Sequence, residues 1–337
     1  MAQQAKTTVK IVFGAMTLGE KGAEQARVHS LEECTAILDV FQKHGHNEID
    51  TAIVYGGGSS EKYLGQLHWQ DRGIIMDTKF SPRTVLALGV KTTHSPEHLR
   101  QALKCSLVSL QTDKIDMWYL HAPDRTTPYE VTLREVNNLY KEGYFKRFGI
   151  SNYMAWEVAQ ICEICDRNGW IKPTAYQGVY NAVHRAVESE LFPCLRKYGL
   201  SFYEFNPLAG GYLTSRYHRN MMDGDLEEGS RFDPKRKQGQ HYRNRYWNDA
   251  YFDALDILRP VAQKHGLSEA ECALRWMANH SLLKREYGDA IIIGASSAAQ
   301  LEENLTNLEK GPLPEEVLKA FDEGWAKVKG ICTNYFH

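Results

Sequence analysis

A chain of 337 residues that is 43% hydrophobic has material for a sizeable core, and α/β barrels of this length commonly form one domain. Lys plus Arg number 40 against 42 Asp plus Glu, and the net charge of -2 excludes broad binding of nucleic acid or an anionic membrane through excess positive charge. No run approaches 18 apolar residues, and Met1 to Lys6 lacks an apolar signal core, so a cytoplasmic protein with no membrane partner is expected. The seven cysteines, an odd number scattered through helical patterns, favour reduced thiols. Cys162 and Cys165 form a C-x-x-C inside a helix-like run with no second pair, so no metal site is expected.

In chain order, Val9-Lys10-Ile11-Val12-Phe13 reads as a strand that stops at a glycine-flanked loop containing Met16. Ser30 caps a helix with Leu31, Cys34, Leu38 and Phe41 on one face. The short extended stretch from Asn47 then delivers Asp50 and, five residues on, Tyr55, before Gly56-Gly57-Gly58 frees the backbone. Helix two reads as Ser59 to Trp69, and a third strand ends on Lys79. Ser95-Pro96 opens the third helix, Ile115 to His121 is the fourth strand, and a helix follows from about Pro128 to Glu142.

The second half repeats the alternation. Arg147 to Ile150, Ala175 to Val179, Ser201 to Phe205 and Ala290 to Ile293 read as strands five to eight, with helices over Ala155–Asn168, Leu191–Tyr198 and Ala298–Glu309. Between strands seven and eight, Gly210 to Asn248 is polar and without clear period. A loop of that length in a compact domain carries function or is disordered. Two patterned helices follow it, about Tyr251 to His265 and Ser268 to His280. Eight strand-then-helix units predict a (β/α)8 TIM barrel forming one domain over residues 1–337, with the long loop at the C-terminal face.

In such a barrel Asp50, Tyr55, Lys79 and His121 converge, and the convergence has a chemical reading. A phenol is a poor proton donor at neutral pH, but an ammonium at about 4 Å stabilises its anion by roughly 4 kcal/mol at an effective dielectric of about 20. That predicts a Tyr55 that titrates near working pH. A carboxylate, Asp50, is needed to keep Lys79 charged, and His121 orients an oxygen in the same pocket. The basic run from Arg231 through Arg245 is the one place where an anionic group finds concentrated positive charge.

Six motifs in this order resemble the aldo-keto reductase superfamily: Asp50-Thr51-Ala52 with Tyr55-Gly56, Thr78-Lys79, Leu120-His121-Ala122-Pro123-Asp124, Gly149-Ile150-Ser151-Asn152, Tyr176-Gln177 and Asn206-Pro207-Leu208. Phe205 through Gly211, Arg245-Tyr246-Trp247, Ser296-Ser297 with Glu303-Asn304, and Asn334-Tyr335-Phe336 look most like the aflatoxin-aldehyde and succinic-semialdehyde reductase branch. The resemblance implies an NADPH-dependent oxidoreductase that reduces aldehydes and ketones to alcohols. Tyr55 is then the general acid, tuned by Lys79 and Asp50, and His121 orients the carbonyl.

The resemblance also implies a cofactor site for NADPH or NADP+. The nicotinamide end falls to Asp50, Ser151, Asn152, Gln177 and Phe205; the diphosphate to Asn206, Pro207, Leu208, Gly210 and Arg216; the adenosine end to Ser296, Gln300 and Asn304. Some members place a lysine and an arginine at the adenosine phosphate where this chain has Ala295 and Gln300. Substrate contacts fall to Met16, Tyr55, His121, Tyr242, Arg245 and His337. The last residue stands where the branch has an arginine that binds acidic aldehydes. A homodimer is implied by the branch alone. The rival reading is a binding role like that of potassium-channel β-subunits, which hold NADPH in a similar barrel; cofactor retention without turnover on any aldehyde distinguishes it.

Overall fold

The computed structural model describes residues 6–82, 84 and 91–337; the extreme N-terminus, expected to lack a signal core, lies outside them. Its elements in order are β1 (Lys10–Gly14), α1 (Leu31–Lys43), β2 (Glu48–Asp50), α2 (Ser59–Gln66), β3 (Ile75–Phe80), α3 (Pro96–Ser109), β4 (Ile115–Leu120) and α4 (Tyr129–Lys141). The chain continues through β5 (Phe145–Ser151), α5 (Ala155–Asn168), β6 (Ala175–Val179), α6 (Leu191–Tyr198), β7 (Ser201–Phe205), α7 (Lys237–Tyr246), α8 (Asp249–Lys264), α9 (Glu269–Asn279), β8 (Ala290–Ile293), α10 (Ala298–Leu308) and α11 (Glu315–Val328). The eight strands pair in sequence order, all parallel, and β8 closes onto β1. This is the predicted (β/α)8 barrel. Among the described residues no helix is long and apolar enough to cross a membrane.

Local chemistry accounts for the helix starts. Ser30 caps α1 by accepting from the Glu33 amide, and the Glu33 carboxylate reaches back to the Ser30 amide. Ser95 caps α3 with Pro96 in the first turn, where a missing N–H costs nothing. The strands then divide their side chains between two cores. Outward residues such as Trp118, Phe148 and Phe202 pack under the helices. Inward residues Val12, Met117, Tyr119, Ala175, Tyr203, Ala290 and Ile292 fill the barrel interior. Tyr119 fits only because its neighbour is Gly149: a Cβ there would lie 2.3 Å from the Tyr119 ring. Towards the lower end, Lys10 pairs with Glu48, and Arg147 reaches Glu48, Asp116 and the Tyr203 hydroxyl.

The structure corrects two expectations and adds one element that the sequence reading did not name. The polar stretch between β7 and β8 is not structureless, for it contains α7, whose buried Tyr242 and Tyr246 stand one turn apart on its inner face. A further helix, α11, packs along α8 near the end of the chain. Gly324 permits that approach, since a Cβ there would sit 3.3 Å from the Ala254 Cβ. Finally, Tyr55 is not on a strand: β2 ends at Asp50, and Tyr55 opens a tight 3-10 turn.

Behind β3, Thr78 points outward and donates to the buried Glu61 of α2 at 2.5 Å. Burial pushes the Glu61 carboxyl up to about 7, against its hydrogen bonds from Thr78 and Ser106. An acid raised on folding lowers stability progressively as pH climbs from its unfolded value through its folded one. From 4.5 to about 7 the span corresponds to about 3 kcal/mol. Glu61→Gln is therefore expected to gain about 2–3 kcal/mol over the parent between pH 5 and pH 8, measured by urea unfolding at both values. An unchanged difference refutes the burial account.

Candidate active site

The C-terminal ends of β2 and β3 place Asp50 and Lys79 side by side inside the barrel. The Lys79 ammonium, fully buried, lies 2.7 Å from Asp50 Oδ2, 2.6 Å from the Thr51 carbonyl and 3.1 Å from Tyr55 Oη. Its three donor positions are thus spent on a carboxylate, a carbonyl and a phenol. The other Asp50 oxygen accepts from Gln177 Nε2 at 2.9 Å. Gly56, Gly57 and Gly58, with φ of 56°, 64° and 95°, turn the chain sharply enough after Tyr55 to start α2 at once. At Gly56 a Cβ would also meet Ser59 Oγ at 2.6 Å. His121, just past β4, sets its ring edge-on to Tyr55 with centroids 5.8 Å apart.

Burial and charge act against each other on these groups. Desolvation pulls Lys79 down, but Asp50 and Tyr55 more than offset it, so the ammonium is held above its ordinary value. The Tyr55 phenol is pushed up by burial, and Lys79 offsets only part of that. The expectation that Tyr55 titrates near working pH is therefore corrected: it is a protonated phenol at neutral pH. His121 is driven well below its ordinary value by burial, then by the Lys79 ammonium, and is a neutral imidazole.

Tyr55 and His121 form the floor of a cavity of about 360 Å³ at the C-terminal mouth. Met16, Tyr242 and His337 border the same space, and Asp50, Asn152, Gln177 and Phe205 continue its wall along the barrel rim. Asn206, Pro207, Leu208, Gly210, Arg216, Ser296 and Gln300 also line it. Four expected residues do not line it. Lys79 stands behind Tyr55, Ser151 is buried and accepts from Asn152 Nδ2, and Asn304 lies one turn beyond Gln300 on α10. Arg245 is buried with its guanidinium 3.4 Å from the His241 ring, so its placement as a direct substrate contact is corrected.

A family model described as the aldo/keto reductase family matches residues 10–326. The chain belongs to this family. It is 51% identical over 336 residues to the aldo-keto reductase pigE of Monascus ruber, covering 98% of each chain. It is 42% identical over 344 residues to the aflatoxin B1 aldehyde reductase member 2 of Homo sapiens, covering 100% of this chain and 92% of that one. It is likewise 42% identical over 338 residues to the human aldo-keto reductase family 7 member A3, covering 99% of each. An aldo/keto reductase is an oxidoreductase, and these relatives include aldehyde reductases.

An aldo/keto reductase generally uses a nicotinamide dinucleotide, and the cavity residues fit one. Asn152 Oδ1 and Asn206 Nδ2 are buried without a partner among the described residues, an acceptor and a donor. A carboxamide offers the complementary pair. Asn152 and Asn206 hold left-handed φ of 65° and 72°, which asparagine tolerates at modest cost. For phosphates the cavity offers guanidinium groups. Beside Arg216, its wall includes Arg27 and Arg231, which residue-level reasoning did not single out. Arg231 was signalled only as part of a basic run; its Nη1 donates to Tyr242 Oη at 3.0 Å, and Tyr242 Oη donates to Asn206 Oδ1 at 2.7 Å. Arg27 comes from the loop before α1, where no pattern marks it.

Breaking the Asp50–Lys79 pair leaves a carboxylate in the barrel interior without its cation. Lys79→Met is expected to cost about 3–5 kcal/mol in urea unfolding at pH 7. Tyr55→Phe, which loses only one hydrogen bond, is expected to cost about 1 kcal/mol. Equal costs would show that the pair is not what the interior depends on.

Proposed function

We propose that this chain is an NADPH-dependent reductase of aldehydes and ketones in which Tyr55 is the general acid. The observation that carries the reading is the 3.1 Å contact between the buried Lys79 ammonium and the Tyr55 hydroxyl on the cavity floor. When bound, the nicotinamide supplies a hydride to the carbonyl carbon. The chain's own residues manage the oxygen and its proton. Tyr55, protonated at rest, donates to the oxygen as negative charge develops there. The phenolate left behind faces a cation that Asp50 and Gln177 hold in place, so the charge is stabilised where it forms.

His121, neutral and lining the cavity, orients the oxygen without competing for the proton. Asn152 and Asn206, with Gln177 beside them, are assigned to the carboxamide, Phe205 to the nicotinamide face, and Arg27, Arg216 and Arg231 to the phosphates. Ser296 and Gln300 take the adenosine end, with Asn304 behind them. NADPH rather than NADH follows from the family's general habit. The relatives named for an aflatoxin aldehyde support an aldehyde substrate.

Tyr55→Phe tests the proposal. It is expected to retain NADPH binding, seen as quenching of protein fluorescence, while aldehyde-dependent NADPH oxidation falls by about 10²–10⁴-fold. Turnover within a few-fold of the parent would remove Tyr55 from the acid role.

At the substrate end, partial burial and then Arg245 and His241 pull His337 down to about 4, so it is neutral at pH 7 and a weak partner for a carboxylate. His337→Arg is expected to raise kcat/KM for succinic semialdehyde by about tenfold, the value of one charge-assisted hydrogen bond. No change on that substrate would refute the role given to this position.

A further inference from the structure

The turn that carries Tyr55 has little to hold it from within. On its near side the Ile53 amide donates to the Lys79 carbonyl at 3.1 Å and keeps the chain on β3. On its far side run Gly56, Gly57 and Gly58, all left-handed, and a Cβ on Gly57 would meet nothing within 4 Å. Glycines facing open space do not fix a phenol. The start of α2 does, for three consecutive buried side chains there each grip a different neighbour.

Ser59 Oγ donates to the Gly56 carbonyl at 2.6 Å and accepts from the Glu20 amide at 3.0 Å. Ser60 Oγ donates to the Ala15 carbonyl at 2.9 Å and lies 3.0 Å from Thr51 Oγ1. Glu61 reaches the other way, to the Thr78 hydroxyl at 2.5 Å, and Thr78 immediately precedes Lys79 on β3. Successive strand residues face opposite ways, so Thr78 points out to α2 while Lys79 points in to Tyr55. The Glu61–Thr78 contact therefore joins the helix that follows the phenol to the strand that carries the ammonium.

A buried carboxyl is a costly way to make that link. Burial pushes Glu61 up to about 7, and replacing both partners by apolar groups of the same shape is neutral or favourable for stability. Nor does the helix depend on it for docking. Leu64 packs into the core, and Gly65 brings α2 so close to α3 that a Cβ would lie 2.3 Å from the Ser109 carbonyl. What the hydrogen bond adds is one fixed spacing between α2 and β3.

We propose that Glu61 is a positioning residue which, through Thr78, holds the Tyr55 hydroxyl within reach of the Lys79 ammonium. The consequence for turnover rests on the carbonyl-reductase reading above; the positioning does not. Withdrawing the phenol from about 4 to about 6 Å, at an effective dielectric of about 20, weakens the stabilisation of its anion about tenfold.

The test compares the parent with Glu61→Gln, which keeps an acceptor for Thr78, and with the double variant Glu61→Leu, Thr78→Val, which removes both partners. In the double variant the urea midpoint at pH 8 is expected at or above the parent's, and NADPH binding by fluorescence quenching unchanged. Its kcat for propanal should fall about tenfold with KM little altered, whereas Glu61→Gln should stay within about threefold of the parent. A contact that served stability alone would move midpoint and turnover together. Positioning is read separately, without cofactor, from the isotope-labelled ζ-carbon signal of Tyr55, assigned by its loss in Tyr55→Phe. That signal should be displaced in the double variant and restored in Glu61→Gln.

A Tyr55 signal that is the same in all three proteins, or a double variant whose midpoint falls well below the parent's, overturns the positioning. A displaced signal with unchanged kcat, or a Glu61→Gln variant as slow as the double one, overturns the link from this hydrogen bond to turnover. If the parent reduces no aldehyde, the functional reading fails and that link with it, while the Tyr55 signal still decides the positioning.

Discussion

A fully buried ammonium is the constraint around which this barrel is arranged. A lone charge in the interior would cost far more than the marginal stability of a domain, so every donor on Lys79 must be met. Asp50 supplies the countercharge, Thr51 a carbonyl and Tyr55 a phenol, and Gln177 orients the Asp50 carboxylate from the far side of the barrel. These demands fix the relative positions of β2, β3 and β6 at the C-terminal face. They also leave a reactive hydroxyl in the one place where the cavity opens onto them.

That arrangement was largely legible in the sequence because each member stands at the end of a short apolar run, and a parallel barrel gathers strand ends on one face. Asp50, Lys79 and His121 needed only the alternation of strands and helices to be brought together. Two helices were not legible, for different reasons. The segment that becomes α7, Lys-Gln-Gly-Gln-His-Tyr-Arg-Asn-Arg-Tyr, has too few apolar residues to show a face, and its helix is held by Tyr242 and Tyr246 packing onto residues distant in sequence. In α11 the apolar residues Val317, Ala320, Phe321 and Val328 do recur at helical spacing, but eight strand-helix units had already accounted for the barrel.

The acidity of Tyr55 was misjudged for a reason that generalises. Counting the attraction of a nearby cation is possible from sequence, whereas the cost of withdrawing a phenolate from water depends on how completely the site closes, which only the fold sets. Arg245 was likewise placed by motif at the substrate, yet its side chain turns into the protein beside His241. Contacts such as Arg125 with His337 join residues 212 positions apart and have no local signature at all.

The Tyr119 ring pressed against Gly149, with the Lys10, Glu48, Arg147 and Asp116 charges beneath it, stoppers the lower half of the cylinder. The cavity that Tyr55 lines lies at the opposite, upper end. In the proposed reaction, whatever occupies the mouth therefore also governs when that hydroxyl regains the hydrogen ion it would give up.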